Sequence, residues 1–119
     1  MATIKSFTSL EQAKKLAEFL PLESADMRWI KIDDDESFDG SWEVVPRNSS
    51  LIAIEDKPLF CWSLAALLSV LPDYTLQTNT DGKVFVVCES KKTMVSGAYD
   101  NPVDACVDMI EKLNELKML

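Results

Sequence analysis

The sequence holds 119 residues, of which 47% are hydrophobic, and its 20 acidic and 12 basic side chains give a net charge of -8. Negative charge disfavours binding to nucleic acid and to anionic membranes, since both attract basic surfaces. The chain has no histidine, which excludes catalytic triads and zinc sites built on imidazole within it. The length predicts a single domain over residues 1–119, because domains commonly hold about 100 to 200 residues.

The three cysteines, Cys61, Cys88 and Cys106, stand far apart among apolar neighbours. This spacing predicts buried, reduced thiols, and apolar surroundings disfavour a nucleophilic role because they raise the thiol pKa. The first residues contain no apolar stretch long enough for a signal peptide. We therefore expect a cytoplasmic protein that binds no cofactor and no membrane.

A first helix is predicted from Leu10 to Leu20. Ser9 and Gln12 have the spacing of a capping box at its start. Apolar residues then recur at helical spacing, and Pro21 ends the helix because a residue before proline avoids the helical conformation. The pattern predicts an amphipathic helix that packs through one face.

Three short strands are predicted in the next part of the chain, at 27–32, 42–45 and 51–55. The acidic stretch from Asp33 to Gly40 separates the first two and is typical of a solvated loop. Residues 46–50 separate the second and third strands and are typical of a turn.

The most apolar stretch runs from Leu59 to Leu71, where Ser63 and Ser69 are the polar residues. It is shorter than the roughly 17 to 25 residues that span a bilayer, so it predicts a central core helix. The helix starts either near residues 56–58 or at a Ser63 cap, and Pro72 ends it. If the rest of the chain does not fully cover this helix, it predicts a homodimer.

A two-residue hairpin loop is predicted at Asp81-Gly82, between strands Tyr74–Thr80 and Lys83–Glu89. A further strand over Thr93–Ala98 makes the arrangement a meander. The two-residue loop places Leu76 opposite Val87, so that four large side chains share one face: Tyr74, Leu76, Phe85 and Val87. We expect that face to contact the central helix.

The last helix has Asn101 as its cap, Pro102 at the first position and Asp104 in the first turn. Asp108 and Lys112 form a pair four residues apart on its polar side. Together the elements predict an α+β fold, with an antiparallel sheet of about four to six strands packed with three helices.

The acidic loop carries the candidate interaction residues, which combine carboxylates with one large aromatic side chain. They are Asp33, Asp34, Asp35, Asp39, Trp42 and Glu43. Asp35, Ser37 and Asp39 match the first ligand positions of a calcium loop, but the twelfth position is Pro46, where such a loop needs glutamate. The same carboxylates are compatible with an acidic decoy that blocks a nucleic-acid-binding protein.

The stretches at residues 58–72 and 101–113, with the hairpin between them, resemble small uncharacterised proteins of gut Bacteroidetes genomes and their phages and prophages. The shared positions are apolar, capping or turn residues. The resemblance implies an intracellular accessory protein and carries no catalytic residue.

The leading functional hypothesis is a small cytoplasmic interaction or accessory protein, without catalytic activity, that binds an unknown protein partner. It rests on the lack of a catalytic motif in the sequence. The alternatives are the acidic decoy and a weak carboxylate or calcium-dependent site.

Overall fold

A computed structural model describes residues 5–31, 42–47, 59–89 and 92–118. In chain order the elements are α1 (Leu10–Leu16), a short 3₁₀ helix (Leu22–Ser24), β1 (Met27–Lys31), β2 (Trp42–Pro46), β3 (Leu59–Cys61), α2 (Leu64–Val70), β4 (Tyr74–Thr78), β5 (Val84–Glu89), β6 (Thr93–Val95) and α3 (Pro102–Glu115). Within these residues, three α-helices and six strands make an α+β fold, as predicted.

The six strands form two sheets instead of the expected single one. The first has the order β2-β1-β3 and the second the order β4-β5-β6, and every pairing is antiparallel. The second sheet is the predicted meander. β3 leads into α2, and β4, the strand after that helix, pairs with β5 in the second sheet and not with β3. The strand predicted at 51–55 lies outside the described residues.

Helix α1 has the predicted capping box: the Ser9 side chain accepts from the Gln12 amide, and the Gln12 side chain accepts from the Ser9 amide. The helix ends at Leu16 and not at Leu20. Hydrogen bonds from Glu18 and Phe19 to carbonyls three residues earlier tighten the chain beyond it.

The apolar run divides into two elements, so the prediction of one helix from Leu59 to Leu71 was wrong in its first part. Residues 59–61 pair with β1 as a strand, and α2 begins after Ser63, the later of the two expected starts. The Ser63 hydroxyl accepts from the Ala66 amide at 3.2 Å. Ala65 and Ser69 are exposed, so α2 is not covered on every side. Within the described ranges no helix is long and apolar enough to cross a membrane.

The hairpin loop between β4 and β5 has three residues and not the expected two. The Asn79 amide donates to the Lys83 carbonyl at 2.9 Å, and the Gly82 amide donates to the Asn79 carbonyl at 3.0 Å. Gly82 has φ +80°, which makes the loop a tight turn followed by a left-handed residue.

The longer loop moves the strand register by one residue. Leu76 lies opposite Val86 instead of Val87. Because side chains alternate along a strand, a shift of one residue exchanges the two faces. Val86 and Cys88 belong to the core, and the predicted core-facing pair of Phe85 and Val87 lies on the opposite face.

Helix α3 is the central helix of the structure. Asn101 caps it, Pro102 begins it, and the side chains that it buries include Val103, Cys106 and Ile110. It packs against β5 on one side and α2 on the other. The expectation that α2 covers the hairpin was therefore wrong, because the longer apolar stripe of α3 takes that place.

Candidate functional site

Most of the predicted interaction residues lie outside the described part of the chain: Asp33, Asp34, Asp35 and Asp39. Trp42 and Glu43 begin β2, where Glu43 is exposed and lies opposite Ile30 of β1. Among the described residues no group of histidine, cysteine or carboxylate side chains is arranged to hold a metal. The calcium loop and the acidic decoy therefore stay predictions.

A polar cleft lies between α1 and α3, with a volume of about 460 Å³. Its charged residues are Lys5, Glu11, Lys15, Asp104, Asp108 and Glu111. Sequence reasoning did not find this cleft, because its two walls come from opposite ends of the chain. The cleft brings four carboxylates and two lysines together in the described structure.

Asp104 is the most strongly bonded carboxylate of the cleft. Its Oδ1 accepts from Lys5 Nζ at 2.7 Å and from Gln12 Nε2 at 2.8 Å, and its Oδ2 accepts from Asn101 Nδ2 at 2.9 Å. Burial favours a higher pKa for Asp104, but these three hydrogen bonds outweigh it and lower the pKa. Asp104 is therefore a structural anion and a poor general acid at neutral pH.

The wall formed by α3 and the segment before it is also bonded internally. Asp108 Oδ2 accepts from the Gly97 amide at 2.7 Å and forms the predicted pair with Lys112 at 3.4 Å. Burial and the nearby charge of Asp108 raise the pKa of Tyr99. Its phenol stays protonated at neutral pH and cannot serve as a base there.

The three thiols are buried in the protein interior, as predicted, and unpaired. Burial raises the pKa of Cys61 and of Cys88, and burial together with the neighbouring Cys88 raises the pKa of Cys106 to about 12. A thiolate is the reactive form of cysteine, so burial disfavours nucleophilic chemistry at these three residues.

A second, more apolar groove of about 500 Å³ lies where the segment after α1, the 3₁₀ helix and the ends of α2 and α3 meet. Phe19, Leu20 and Val70 supply its apolar lining. Beside it, the fully buried Trp62 donates its indole hydrogen to Ser24 Oγ at 2.9 Å. Trp62 is thus a core residue, in agreement with the usual role of tryptophan.

Strand β4 is an edge of the second sheet, and all five of its residues are exposed. The Asn79 amide donates to the Lys83 carbonyl, and the Glu89 amide donates to the Asp73 carbonyl. Because backbone groups alternate in direction along a strand, the odd-numbered residues of β4 also direct their amides and carbonyls toward β5. The amides and carbonyls of Tyr74, Leu76 and Thr78 consequently point away from β5. No described strand pairs with them.

The sequence of β4, Tyr-Thr-Leu-Gln-Thr, contains no charge and no proline. Proteins commonly protect an exposed edge with lysine, proline or a bulge, because unpaired backbone groups bind other strands. β4 has none of these, although 27% of the chain is charged. The uncharged strand between Asp73 and Asp81 is the sequence signal that could have identified this surface.

Comparison of the whole chain with protein-family models, with curated proteins and with solved structures finds no match. The function of the chain therefore has to be argued from its own residues. In the described structure, Asp104 and Asp108 accept hydrogen bonds within the fold, the three thiols are buried, and no described strand pairs with the outer edge of β4.

Proposed function

We propose that the chain is a small interaction protein without catalytic activity, which pairs the open edge of β4 with an extended segment of another polypeptide. The observation that carries the proposal is the outward row of backbone groups at Tyr74, Leu76 and Thr78, in a strand without charge or proline. Added strands gain affinity from main-chain hydrogen bonds and specificity from alternate side chains.

Two exposed apolar side chains support this assignment. Tyr74 is 42% exposed and Leu76 is 36% exposed. Both project from the side of β4 that also carries the core residues Val86 and Cys88 on β5. An added strand would cover part of this apolar surface while it satisfies the backbone edge.

We further propose that the protein acts in the cytoplasm as an accessory protein of a phage or another mobile element. This proposal rests on the resemblance of residues 58–72 and 101–113 to small uncharacterised proteins of gut Bacteroidetes genomes and their phages. Nothing in this role needs turnover. The hydrogen-bonded carboxylate of Asp104 and the buried thiols are consistent with it.

The experiment is affinity co-purification from lysate of the source cell with three baits: the wild-type chain, Leu76→Lys and Val95→Lys. Val95 is 49% exposed on β6, the other edge strand of the same sheet, so it provides a control with the same added charge. We expect a near-stoichiometric polypeptide with the wild-type and Val95→Lys baits and its loss with Leu76→Lys.

Equal capture by all three baits would contradict the role of β4. A substrate turnover that persists through purification and disappears on mutation of Asp35 or Asp39 would contradict the absence of catalysis. These two outcomes are independent of each other.

A further inference from the structure

The geometry points to a second copy of this chain as the polypeptide that pairs with β4, in an antiparallel arrangement with Leu76 opposite the second copy's Leu76. This inference rests on the proposed function and names its partner. It assigns β4 a self-complementary register that follows from residues 72–81.

The backbone groups of β4 permit this pairing without any change in the hairpin. Tyr74, Leu76 and Thr78 direct their amides and carbonyls outward, and residues 75 and 77 direct theirs to β5. With Leu76 on the two-fold axis, Tyr74 lies opposite the second copy's Thr78 at both ends. The central Leu76 pair and the two Tyr74–Thr78 pairs each exchange two hydrogen bonds, so the seam contains about six of them.

The residues that flank β4 are compatible with this register. It places Asp73 opposite the second copy's Asn79 at both ends of the seam. Asn79 Oδ1 already accepts from the amides of Asp81 and Lys83, which leaves the side-chain NH₂ group of Asn79 to donate. A carboxylate therefore meets an amide donor on each side of the axis.

Pairings shifted by two residues in either direction should be less stable than the pairing centred on Leu76. A shift of two residues toward the hairpin loop brings Asp73 to the second copy's Asp81, and like charges across a strand pair are destabilising. The opposite shift places Pro72 across from the second copy's Thr78, and proline has no amide hydrogen to donate. Charge and proline thus favour the register centred on Leu76.

The side chains at the centre also match their own copies. Leu76 would contact the second copy's Leu76, and Tyr74 would contact the second copy's Thr78 on the same face. No charged side chain lies within the strand, so the net charge of -8 on each copy is kept outside the seam. The β4-β5-β6 sheets of the two copies would then form one continuous sheet of about six strands.

The test is sedimentation equilibrium of the purified full chain between about 10 μM and about 1 mM. We expect the wild-type mass to rise toward twice the monomer mass and Leu76→Pro to remain monomeric, because proline removes the central outward amide and leaves the ladder to β5 intact. Unchanged circular dichroism and melting would establish that Leu76→Pro is folded. If this variant does not fold, Leu76→Lys replaces it, and Val95→Lys is the control that still dimerises.

Amide hydrogen exchange measures the register itself. Across the same concentration range, protection of the amides of Tyr74, Leu76 and Thr78 should increase by at least about tenfold, whereas Thr75 and Gln77 should be protected at every concentration. Uniform change along β4, or a dimer that Leu76→Pro leaves intact, would overturn the inference.

A monomeric wild-type chain would also overturn it, and the co-purification then separates the two proposals. If that chain captures a different protein in a manner that depends on Leu76, the second copy is the wrong partner and the binding role of β4 stands. If no capture depends on Leu76, both proposals fail.

Discussion

Lys5 and Asp104 are 99 positions apart in the sequence, and Lys5 Nζ donates to Asp104 Oδ1 at 2.7 Å. The same carboxylate oxygen accepts from Gln12, whose side chain also closes the cap of α1. One set of hydrogen bonds therefore starts the first helix and holds it against the beginning of the last. The hydrogen bonds in the cleft between these helices therefore mainly stabilise the packing of α1 against α3.

Replacing Asp104 with asparagine should lower the free energy of unfolding by about 1 to 2 kcal/mol near neutral pH, because a partly buried Lys5 loses its charged acceptor. The pKa of Asp104 is lowered from 3.8, since its hydrogen bonds outweigh the opposing effect of burial. A carboxyl group with a lowered folded pKa stabilises the fold above its unfolded pKa and loses this contribution as the pH falls through the folded value. Urea unfolding should thus show the full difference above about pH 4 and a smaller one below it.

The control for this prediction is Glu111→Gln in the same helix. Glu111 pairs with Lys15 at 3.4 Å, and the Lys15 side chain is 62% exposed. Exposed ion pairs contribute little, so this change should cost no more than about 0.5 kcal/mol. If Asp104→Asn and Glu111→Gln lowered the free energy of unfolding equally, Asp104 would contribute no more to stability than an exposed ion pair, which would contradict the prediction.

The three-residue loop predicts a specific response at Gly82. Its φ of +80° disfavours side chains, although no atom would obstruct an added Cβ. Gly82→Ala should cost about 1 kcal/mol, and Gly82→Asn should cost less, because asparagine tolerates the left-handed conformation better. Thermal unfolding of both variants measures the difference, and equal stability of alanine and glycine would contradict a left-handed residue at this position.

The same loop shows why the hairpin could be predicted and its register could not. Asp81-Gly82 marks a turn between two strands in either loop length. In the three-residue loop the Asn79 side chain accepts from the amides of Asp81 and Lys83, and these bonds favour the longer loop. The longer loop moves Phe85 from the expected core face to the other one.

Capping residues predicted where α1 and α3 begin, whereas Pro21 did not predict the end of α1, which stops at Leu16. Asn101-Pro102 and the Ser9-Gln12 pair begin α3 and α1 as expected. Residues 59–61 become a strand because β1 offers them a free edge, and such long-range pairing cannot be read from apolar periodicity. The α1–α3 cleft was missed for the same reason, and the acidic loop at 33–40 lies outside the described residues.

A side chain at Gly97 should destabilise the fold because the neighbouring atoms leave too little space for it. A Cβ there would lie 3.3 Å from both Asp108 Oδ2 and Tyr99 Cε2. The Asp108 side chain cannot easily move away, because its Oδ2 accepts a hydrogen bond from the Gly97 amide at 2.7 Å. We expect Gly97→Ala to lower the free energy of unfolding by about 1 kcal/mol or more. Ala98→Ser at the exposed next position is the matched control, with a change within about 0.5 kcal/mol in urea unfolding.

The buried thiols predict slow chemical modification of the native chain. Cys61, Cys88 and Cys106 are buried, and burial raises each pKa above the ordinary 9.0, in the case of Cys106 to about 12. A thiol-specific disulfide reagent should therefore react with all three in urea and, in buffer, only as fast as the protein opens.

The raised pKa values also determine how stability changes at alkaline pH. A thiol with a raised folded pKa stabilises the fold below its unfolded pKa, and this contribution is lost as the pH rises above about 9 because the unfolded thiol ionises first. The urea midpoint of the wild-type chain should fall above that pH, and Cys106→Ala, which removes the largest shift, should flatten the decline while it lowers stability at every pH. Rapid labelling of one thiol in native buffer would instead identify an accessible cysteine and contradict this account.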